Sequence, residues 1–225
     1  MRNLFDGQLP QLVMFDLDGT LVDSVPDLAV AVDRMLQALD RPVAGEQKVR
    51  QWVGNGAAVL VQRALSGAIK VEPQLDAALT KRALALFMSF YAEATAEHSV
   101  LYPGVRSCLD QLQQAGVALG LVTNKPICFT TPLLAQLGLS SYFAVVLGGD
   151  SVAVKKPDPQ MLFACLQAAE VAPEMSLMVG DSKNDVLAAR AAGCPVACVS
   201  YGYNHGESIV ASSPDLLVDS LMELC

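Results

Sequence analysis

At 225 residues, of which 52% are hydrophobic and 17% charged, the chain has enough apolar sequence for a sizeable core, which argues against a disordered protein. Its formal net charge of −8 argues against a nucleic-acid-binding surface. The length predicts one large domain, or one domain that carries an insertion.

Targeting signals are missing from the sequence pattern. The first ten residues, MRNLFDGQLP, contain no apolar signal region, and the apolar runs are too short to span a membrane. The six cysteines are scattered and form no C-x-x-C pair, so we expect reduced thiols. These features predict a cytoplasmic protein that does not bind a membrane.

The first predicted element is a buried strand over residues 11–16, which overlaps the start of the stretch VMFDLDGTLVDS, residues 13–24. Asp16 and Asp18 lie at its end, and Gly19 and Thr20 follow. Because charged side chains are rarely buried without partners, this acid pair needs a cation or a reaction. The simpler alternative is a strand that ends in a turn, with both acids in water.

Helices alone are predicted between residues 24 and 100. Ser24, with Asp27 three residues on, is a variant of the capping box and predicts the start of the first helix. Three further helices are predicted over residues 46–53, after Gly56 through Leu65, and over residues 73–97. The sequence Gly54-Asn55-Gly56 separates two of them.

Strands and helices alternate in the second half of the chain. The predicted strands cover residues 117–123, 143–148, 176–181, 196–200 and 216–218. This alternation predicts an α/β fold with a doubly wound parallel sheet. A β-α-β unit needs about 30 residues, whereas the first two strands lie about 100 apart. We therefore expect an all-helical domain of residues 23–99, inserted into an α/β core of residues 1–22 and 100–225.

Polar side chains follow the strands of this core at their carboxyl ends, the edge at which open parallel sheets bind ligands. They are Asp16, Asp18, Thr123, Asn124, Lys155, Lys156, Asp181 and Asp185. Carboxylates suit a hard cation such as Mg²⁺, which takes oxygen ligands. Hydroxyl, ammonium and backbone N–H groups suit phosphoryl oxygens. The pattern predicts a Mg²⁺ site that receives a small anionic phosphoester.

Four ordered motifs resemble those of the haloacid dehalogenase superfamily, on its phosphatase side. They read DLDGT, VTN, KKPDP and GDSKND, and they span nearly the whole predicted core. The resemblance implies the Rossmann-like core of that superfamily, a helical cap domain and a Mg²⁺-dependent phosphomonoesterase. It also implies that Asp16 is the nucleophile that forms an aspartyl-phosphate, and that Asp18 is the general acid and base.

The same resemblance implies the metal ligands. Mg²⁺ would be bound by the Asp16 carboxylate, the Asp18 backbone carbonyl and Asp181. Asp185 would support the site through another group or through water.

Phosphate binding is implied for Thr123, Asn124 and Lys156. Lys156 is preferred to Lys155 because the family's lysine directly precedes a proline. Lys125 is expected to contribute only electrostatic background.

Two less specific sequence matches indicate which substrate the protein hydrolyses. The segments VSYGYNHGE and WVGNGA resemble parts of the phosphoglycolate phosphatases within this superfamily. This resemblance implies hydrolysis of 2-phosphoglycolate to glycolate and phosphate. Asn55 and Gly56 are then candidates to reach the substrate, and Arg63 and Lys81 are candidates for its carboxylate.

Alternatives stay open at this point. The chain could be a phosphatase for another small phosphoester, such as a phosphosugar, or a sugar-phosphate mutase that shields its phosphoaspartate from water. A receiver-like phosphoswitch also has an acid pocket with Thr and Lys, but it needs no helical insertion. Release of phosphate separates an enzyme from such a switch. We expect a monomer or a homodimer.

Overall fold

Six of the eight strands form one parallel sheet in this computed structural model, which describes residues 1–225. The strands are β1 (Leu12–Phe15), β2 (Val22–Asp23), β3 (Val100–Leu101), β4 (Ala118–Val122), β5 (Val145–Leu147), β6 (Ser176–Gly180), β7 (Val196–Val199) and β8 (Leu216–Val218). The sheet order is β5-β4-β1-β6-β7-β8, and every neighbouring pair is parallel. The chain reverses its direction of winding at β1, so the crevice for a ligand lies at the carboxyl ends of β1, β4 and β6.

Helices cover both faces of this sheet. The eight helices are α1 (Val25–Gln37), α2 (Glu46–Trp52), α3 (Ala57–Ser66), α4 (Ala77–Glu93), α5 (Val105–Gln114), α6 (Ile127–Gln136), α7 (Gln160–Ala169) and α8 (Lys183–Ala192). Along β1, Val13 and Phe15 pack into one apolar cluster with α5, whereas Leu12 and Met14 pack into another with α7 and α8. Successive side chains of a strand point to opposite faces, so β1 is buried from both sides. The predicted doubly wound α/β fold is confirmed.

Helices α1 to α4 lie between β2 and β3 and share a third apolar cluster, which includes Met35, Trp52 and Phe87. The chain enters and leaves these helices through one antiparallel pair, in which Val22 faces Leu101. This pair was not predicted, because two residues are too few to show strand periodicity. No helix of the protein is both long and apolar enough to cross a membrane.

The predicted capping box at the start of α1 is wrong. Ser24 precedes the helix but makes no capping hydrogen bond. Its hydroxyl instead donates to Asp18 Oδ1 at 2.6 Å. Ser24 therefore contacts the loop after β1 and not the first turn of α1.

Helix α4 is shorter than predicted at both ends. It begins at Ala77, because the Asp76 carboxylate accepts a hydrogen bond from Leu79 N (2.6 Å) and caps the helix there. It ends at Glu93, and the chain then turns toward α1.

Asp27 on α1 ties that helix to the returning chain. Its buried carboxylate accepts hydrogen bonds from His98 N (2.9 Å), Ser99 N (2.8 Å) and Ser99 Oγ (2.5 Å). A carboxylate that receives three donors can satisfy its lone pairs without water. Asp27 thereby holds the start of α1 beside the segment that leads into β3.

We expect Asp27→Ala to lower the free energy of unfolding by about 2–4 kcal/mol, since two backbone N–H groups would lose a charged acceptor. Urea denaturation monitored by circular dichroism measures this change. The matched control is Glu97→Ala, which removes an exposed carboxylate from the same connection. Equal stability of the two variants would contradict the role given to Asp27.

Candidate active site

Asp16 and Asp18 lie where β1 ends, between β4 and β6. The Asp16 amide continues the sheet by donating to Val179 O at 2.9 Å. Gly19 then turns the chain with φ +89°, and a Cβ atom there would collide with the Asp181 carboxylate. Only glycine combines this conformation with that close approach. The turn therefore brings the first motif against the end of β6.

Three carboxylates meet at this edge. Asp16, Asp181 and Asp185 each offer an oxygen within 4.8 Å of the others, and Asp181 and Asp185 are almost fully buried. Burial raises the pKa of Asp16 to about 6 although Lys156 opposes the shift. Burial, together with the charges of Asp185 and Asp16, raises the pKa of Asp181 well above its ordinary value. Such a surplus of buried negative charge suits a divalent cation.

Lys156 supplies positive charge inside the cluster. Its ammonium lies 3.1 Å from Asp16 Oδ1 and 2.7 Å from Asp185 Oδ1, and its side chain is 1% exposed. Lys155 lies elsewhere, next to Gly56, where a Cβ atom would come 3.0 Å from Lys155 Nζ. Of these two neighbouring lysines, the structure thus brings only Lys156, which precedes the proline, to the carboxylates of Asp16 and Asp185.

Asp185 has both carboxylate oxygens occupied by protein donors. Oδ1 accepts from Lys156, and Oδ2 accepts from Ser182 N (3.0 Å) and Ser182 Oγ (2.7 Å). The bond from Ser182 N belongs to a capping box at the start of α8. Asp16 differs, because its Oδ1 accepts from Leu17 N (2.8 Å) and Lys156 while no protein donor reaches its Oδ2. The free oxygen of the cluster therefore belongs to Asp16.

Asp18 is held by Lys125, which we had expected to be background. Lys125 Nζ lies 3.1 and 3.3 Å from the two oxygens of Asp18 and 2.7 Å from the Tyr91 hydroxyl. Its side chain is 3% exposed. Lys125 is thus part of the site, and nothing in the spacing of the VTN motif indicated that its neighbour would turn inward.

Thr123 and Asn124 follow β4 directly and are both buried. Thr123 Oγ1 accepts from Lys125 N at 3.2 Å, and Asn124 Nδ2 donates to Lys156 O at 2.9 Å. Asn124 Oδ1 is buried without a hydrogen-bond partner. That oxygen can accept from water or from a donor on a ligand.

A cavity of about 490 Å³ of non-protein space, part of it open to solvent, joins these groups to the helices above them. Its polar lining comes from both sides of the crevice and consists of Asp16, Asp18, Gly54, Gly56, Tyr91, Thr123, Asn124 and Lys125. Apolar side chains from α1, α3, α4 and α6 complete the wall. The space suits a small ligand with one charged end.

Asn55 does not line this cavity. Its Oδ1 accepts from Arg63 Nη2 at 2.8 Å, while Arg63 also donates to Trp52 O (2.6 Å) and Ile69 O (3.0 Å). Arg63 is therefore occupied in shaping the loop before α3, and Lys81 is exposed. Neither cation reaches the ligand space.

Tyr203 is a site residue that our reasoning from the sequence missed. Its backbone N–H donates to Asp181 Oδ2, and its hydroxyl donates to Asp23 beside the connection to α1. Arg50 on α2 lies 5.4 Å from its ring centroid. The only signal in the sequence was the resemblance of the surrounding VSYGYNHGE segment.

Comparison with known proteins identifies the family. The sequence model of the haloacid dehalogenase-like hydrolases matches residues 10–193. The chain belongs to that family. The matched range contains all four motifs and therefore the carboxylate cluster. The protein is a hydrolase.

Relatives within the family are similar over nearly the full chain. A phosphoglycolate phosphatase of Pseudomonas putida is 56% identical over 99% of this chain and 81% of its own length. One of Vibrio parahaemolyticus is 50% identical over 95% and 94%. A crystal structure described as "a predicted phosphoglycolate phosphatase" from Haemophilus somnus 129PT is 40% identical over 95% and 96% of the chains, with a TM-score of 0.89. The fold and the motifs are shared with this haloacid dehalogenase-like group.

We expect Asp185→Ala to lower the free energy of unfolding by roughly 3–5 kcal/mol, because it removes a buried partner of Lys156 together with the cap of α8. Thermal and urea denaturation in EDTA measure the change. The control is Asp150→Ala, which removes an exposed carboxylate that accepts from Ile127 N (2.8 Å) at the start of α6. A loss no larger than that of the control would contradict the buried pairing.

Proposed function

We propose that this haloacid dehalogenase-like hydrolase cleaves 2-phosphoglycolate to glycolate and phosphate. The observation that carries the proposal is the cavity, which joins the Asp16–Asp18 pair to a small space with an apolar wall. Relatives that are 50–56% identical over nearly the whole chain bear the name phosphoglycolate phosphatase. A small phosphoester fits this space better than a nucleotide does.

In the first step, Asp16 acts as the nucleophile. Its Oδ2 is free of protein hydrogen bonds and attacks phosphorus, while the bond between phosphorus and the glycolate oxygen breaks. Asp18 donates its proton to the leaving oxygen. The products are glycolate and an aspartyl-phosphate on Asp16.

In the second step, water restores the enzyme. A water molecule attacks phosphorus and transfers a proton to Asp18, and the bond between phosphorus and Asp16 breaks. Phosphate leaves, and both aspartates return to their starting states. Lys156 lies 3.1 Å from the nucleophile and offsets negative charge there throughout.

The phosphoryl oxygens are bound at the end of β4 in this proposal. Thr123 lines the cavity beside the nucleophile, and Asn124 and Gly56 meet across it. A Cβ atom at Gly56 would come 2.9 Å from Asn124 O, so the loop approaches closely only because glycine stands there. Asn55 would act by holding this loop through Arg63.

The carboxylate cluster fits Mg²⁺. Asp16, Asp181 and the Asp18 carbonyl oxygen would hold it, and that carbonyl accepts no hydrogen bond within the protein. Asp185 would support the site by holding Lys156 and Ser182. When bound, the metal supplies positive charge that offsets repulsion between carboxylates and phosphate.

Helices α1 to α4 would serve as the cap, with residues 23–99 as a domain separate from the core. They provide Gly54, Gly56 and Tyr91 to the cavity, while Asp16 and Thr123 come from the sheet. A cap that closes in this way limits water around the reacting phosphate and restricts the size of the substrate.

The proposed function predicts that kcat/KM for 2-phosphoglycolate exceeds that for a hexose phosphate or a nucleotide by about tenfold or more, because the apolar part of the cavity wall offers no hydrogen bonds to sugar hydroxyls or to a base. Phosphate release measured over this panel tests the prediction. A clear preference for the hexose phosphate would reject 2-phosphoglycolate as the substrate and favour a phosphosugar phosphatase.

Asp16→Asn in the same assay is expected to lower kcat by about 10³-fold or more, because an amide is a poor nucleophile. Circular dichroism checks that the variant is folded. Substantial turnover by the folded variant would contradict the role of Asp16.

Metal binding is tested without turnover. Mg²⁺ at about 100 times its Kd should stabilise the metal-free protein by about 2.7 kcal/mol, seen as a rise in Tm. Asp181→Ala should abolish most of this rise and Asp185→Ala less of it, because Asp185 is already paired with the Lys156 ammonium, whereas Asp181 accepts only from the uncharged Thr20 hydroxyl and Tyr203 N–H. An equal or reversed ranking would contradict the ligand assignment.

A further inference from the structure

Lys125 is the one basic side chain that lines the cavity. Lys156 is engaged by Asp16 and Asp185, Arg63 is bound by groups of its own loop, and Lys81 is exposed. Lys125 is therefore the one cation in the cavity that can bind a second negative charge of a substrate, in addition to its phosphate.

One N–H group of the Lys125 ammonium has no hydrogen-bond partner in the protein. An ammonium carries three N–H groups. Its contacts with the two oxygens of Asp18, at 3.1 and 3.3 Å, go to one carboxylate and can share one N–H, while another donates to the Tyr91 hydroxyl at 2.7 Å. The third N–H has no acceptor in the protein.

Tyr91 supplies a second free donor beside it. The Tyr91 oxygen accepts from Lys125, and its own O–H proton has no acceptor in the protein. Burial raises the pKa of Tyr91 to about 12, so the hydroxyl stays protonated at neutral pH. The ring is fixed between Phe87 and Phe129, at centroid distances of 5.7 and 4.9 Å.

The surroundings make this pair the natural partner of an anion. The rest of the cavity wall near Tyr91 is apolar, with Leu28, Leu60, Phe87 and Phe129. A carboxylate placed there would lose its hydrogen bonds to water, and without protein donors nothing would replace them. An N–H of an ammonium and a neighbouring O–H replace that hydration.

We propose that Lys125 and Tyr91 together bind the carboxylate of the substrate and thereby select small phosphoesters that carry a second anion. The inference rests on the proposed function and deepens it. Because Tyr91 lies on α4 and Lys125 follows β4, the carboxylate site is complete only when the helices close on the sheet. Substrate binding and closure are then coupled.

A matched pair of substrates tests the proposal. 2-Phosphoglycolate and 2-hydroxyethyl phosphate have the same chain length, and the second carries a neutral hydroxymethyl group in place of the carboxylate. The measured quantity is the ratio of their kcat/KM values. In Tyr91→Phe, which keeps the aromatic packing, this ratio should fall about tenfold through the KM for 2-phosphoglycolate, since a hydrogen bond to a charged group is lost. Turnover of 2-hydroxyethyl phosphate should fall less than that of 2-phosphoglycolate, because it has no carboxylate to lose this hydrogen bond.

Lys125→Met should lower the ratio further. It should also lower kcat for both substrates, because Asp18 loses the ammonium that holds it. The matched control is Lys155→Met, which removes a positive charge beside the Gly56 loop but outside the cavity lining, and it should leave the ratio unchanged. If Lys125→Met fails to fold, Tyr91→Phe decides alone.

The outcomes separate the two proposals. A wild-type protein that does not prefer 2-phosphoglycolate to 2-hydroxyethyl phosphate would overturn the proposed substrate itself. A wild-type preference that survives unchanged in Tyr91→Phe and Lys125→Met, or an equal loss on both substrates, would overturn only the carboxylate site. Lys125 would then be a positioning residue for Asp18.

Discussion

The site depends on one buried ammonium shared by two carboxylates. Lys156 bridges Asp16 and Asp185, and without it three acids would lie together in a nearly dry space. A buried charge that loses its partner is strongly destabilising. Lys156 therefore offsets the negative charge where the end of β1 meets the start of α8, while Asp16 Oδ2 keeps no protein hydrogen bond. A bound metal ion would offset the negative charge of the cluster that Lys156 alone does not balance.

A second constraint joins the helices to the sheet. Asp27 binds the backbone of the returning chain, and Tyr203 connects Asp181 with Asp23 at the entry to α1. Lys125 and Tyr91 meet across the cavity between them. These polar contacts are few, and apolar contact adds Phe129 and Tyr203, which pack into the cluster of the helices. Such an arrangement allows the two parts to separate at modest cost, which suits entry and release of a substrate.

Much of the fold was predictable because its signals are local. Alternating apolar strands and helices predicted the parallel sheet that the structure contains. Other local signals misled, because tertiary contacts outweighed them. Ser24 binds Asp18 and Asp27 binds Ser99, so neither caps α1 as its spacing suggested.

The sequence by itself determined which residues could meet at the sheet edge. In a parallel sheet the carboxyl ends of the strands share one edge, so motifs that follow strands converge whatever the rest of the chain does. Only the tertiary structure decided how Asp18 is held. Lys125 lies 107 residues from it, and Tyr91 approaches from a different element. Their contact depends on how four helices sit over the sheet, and no local periodicity encodes that relation.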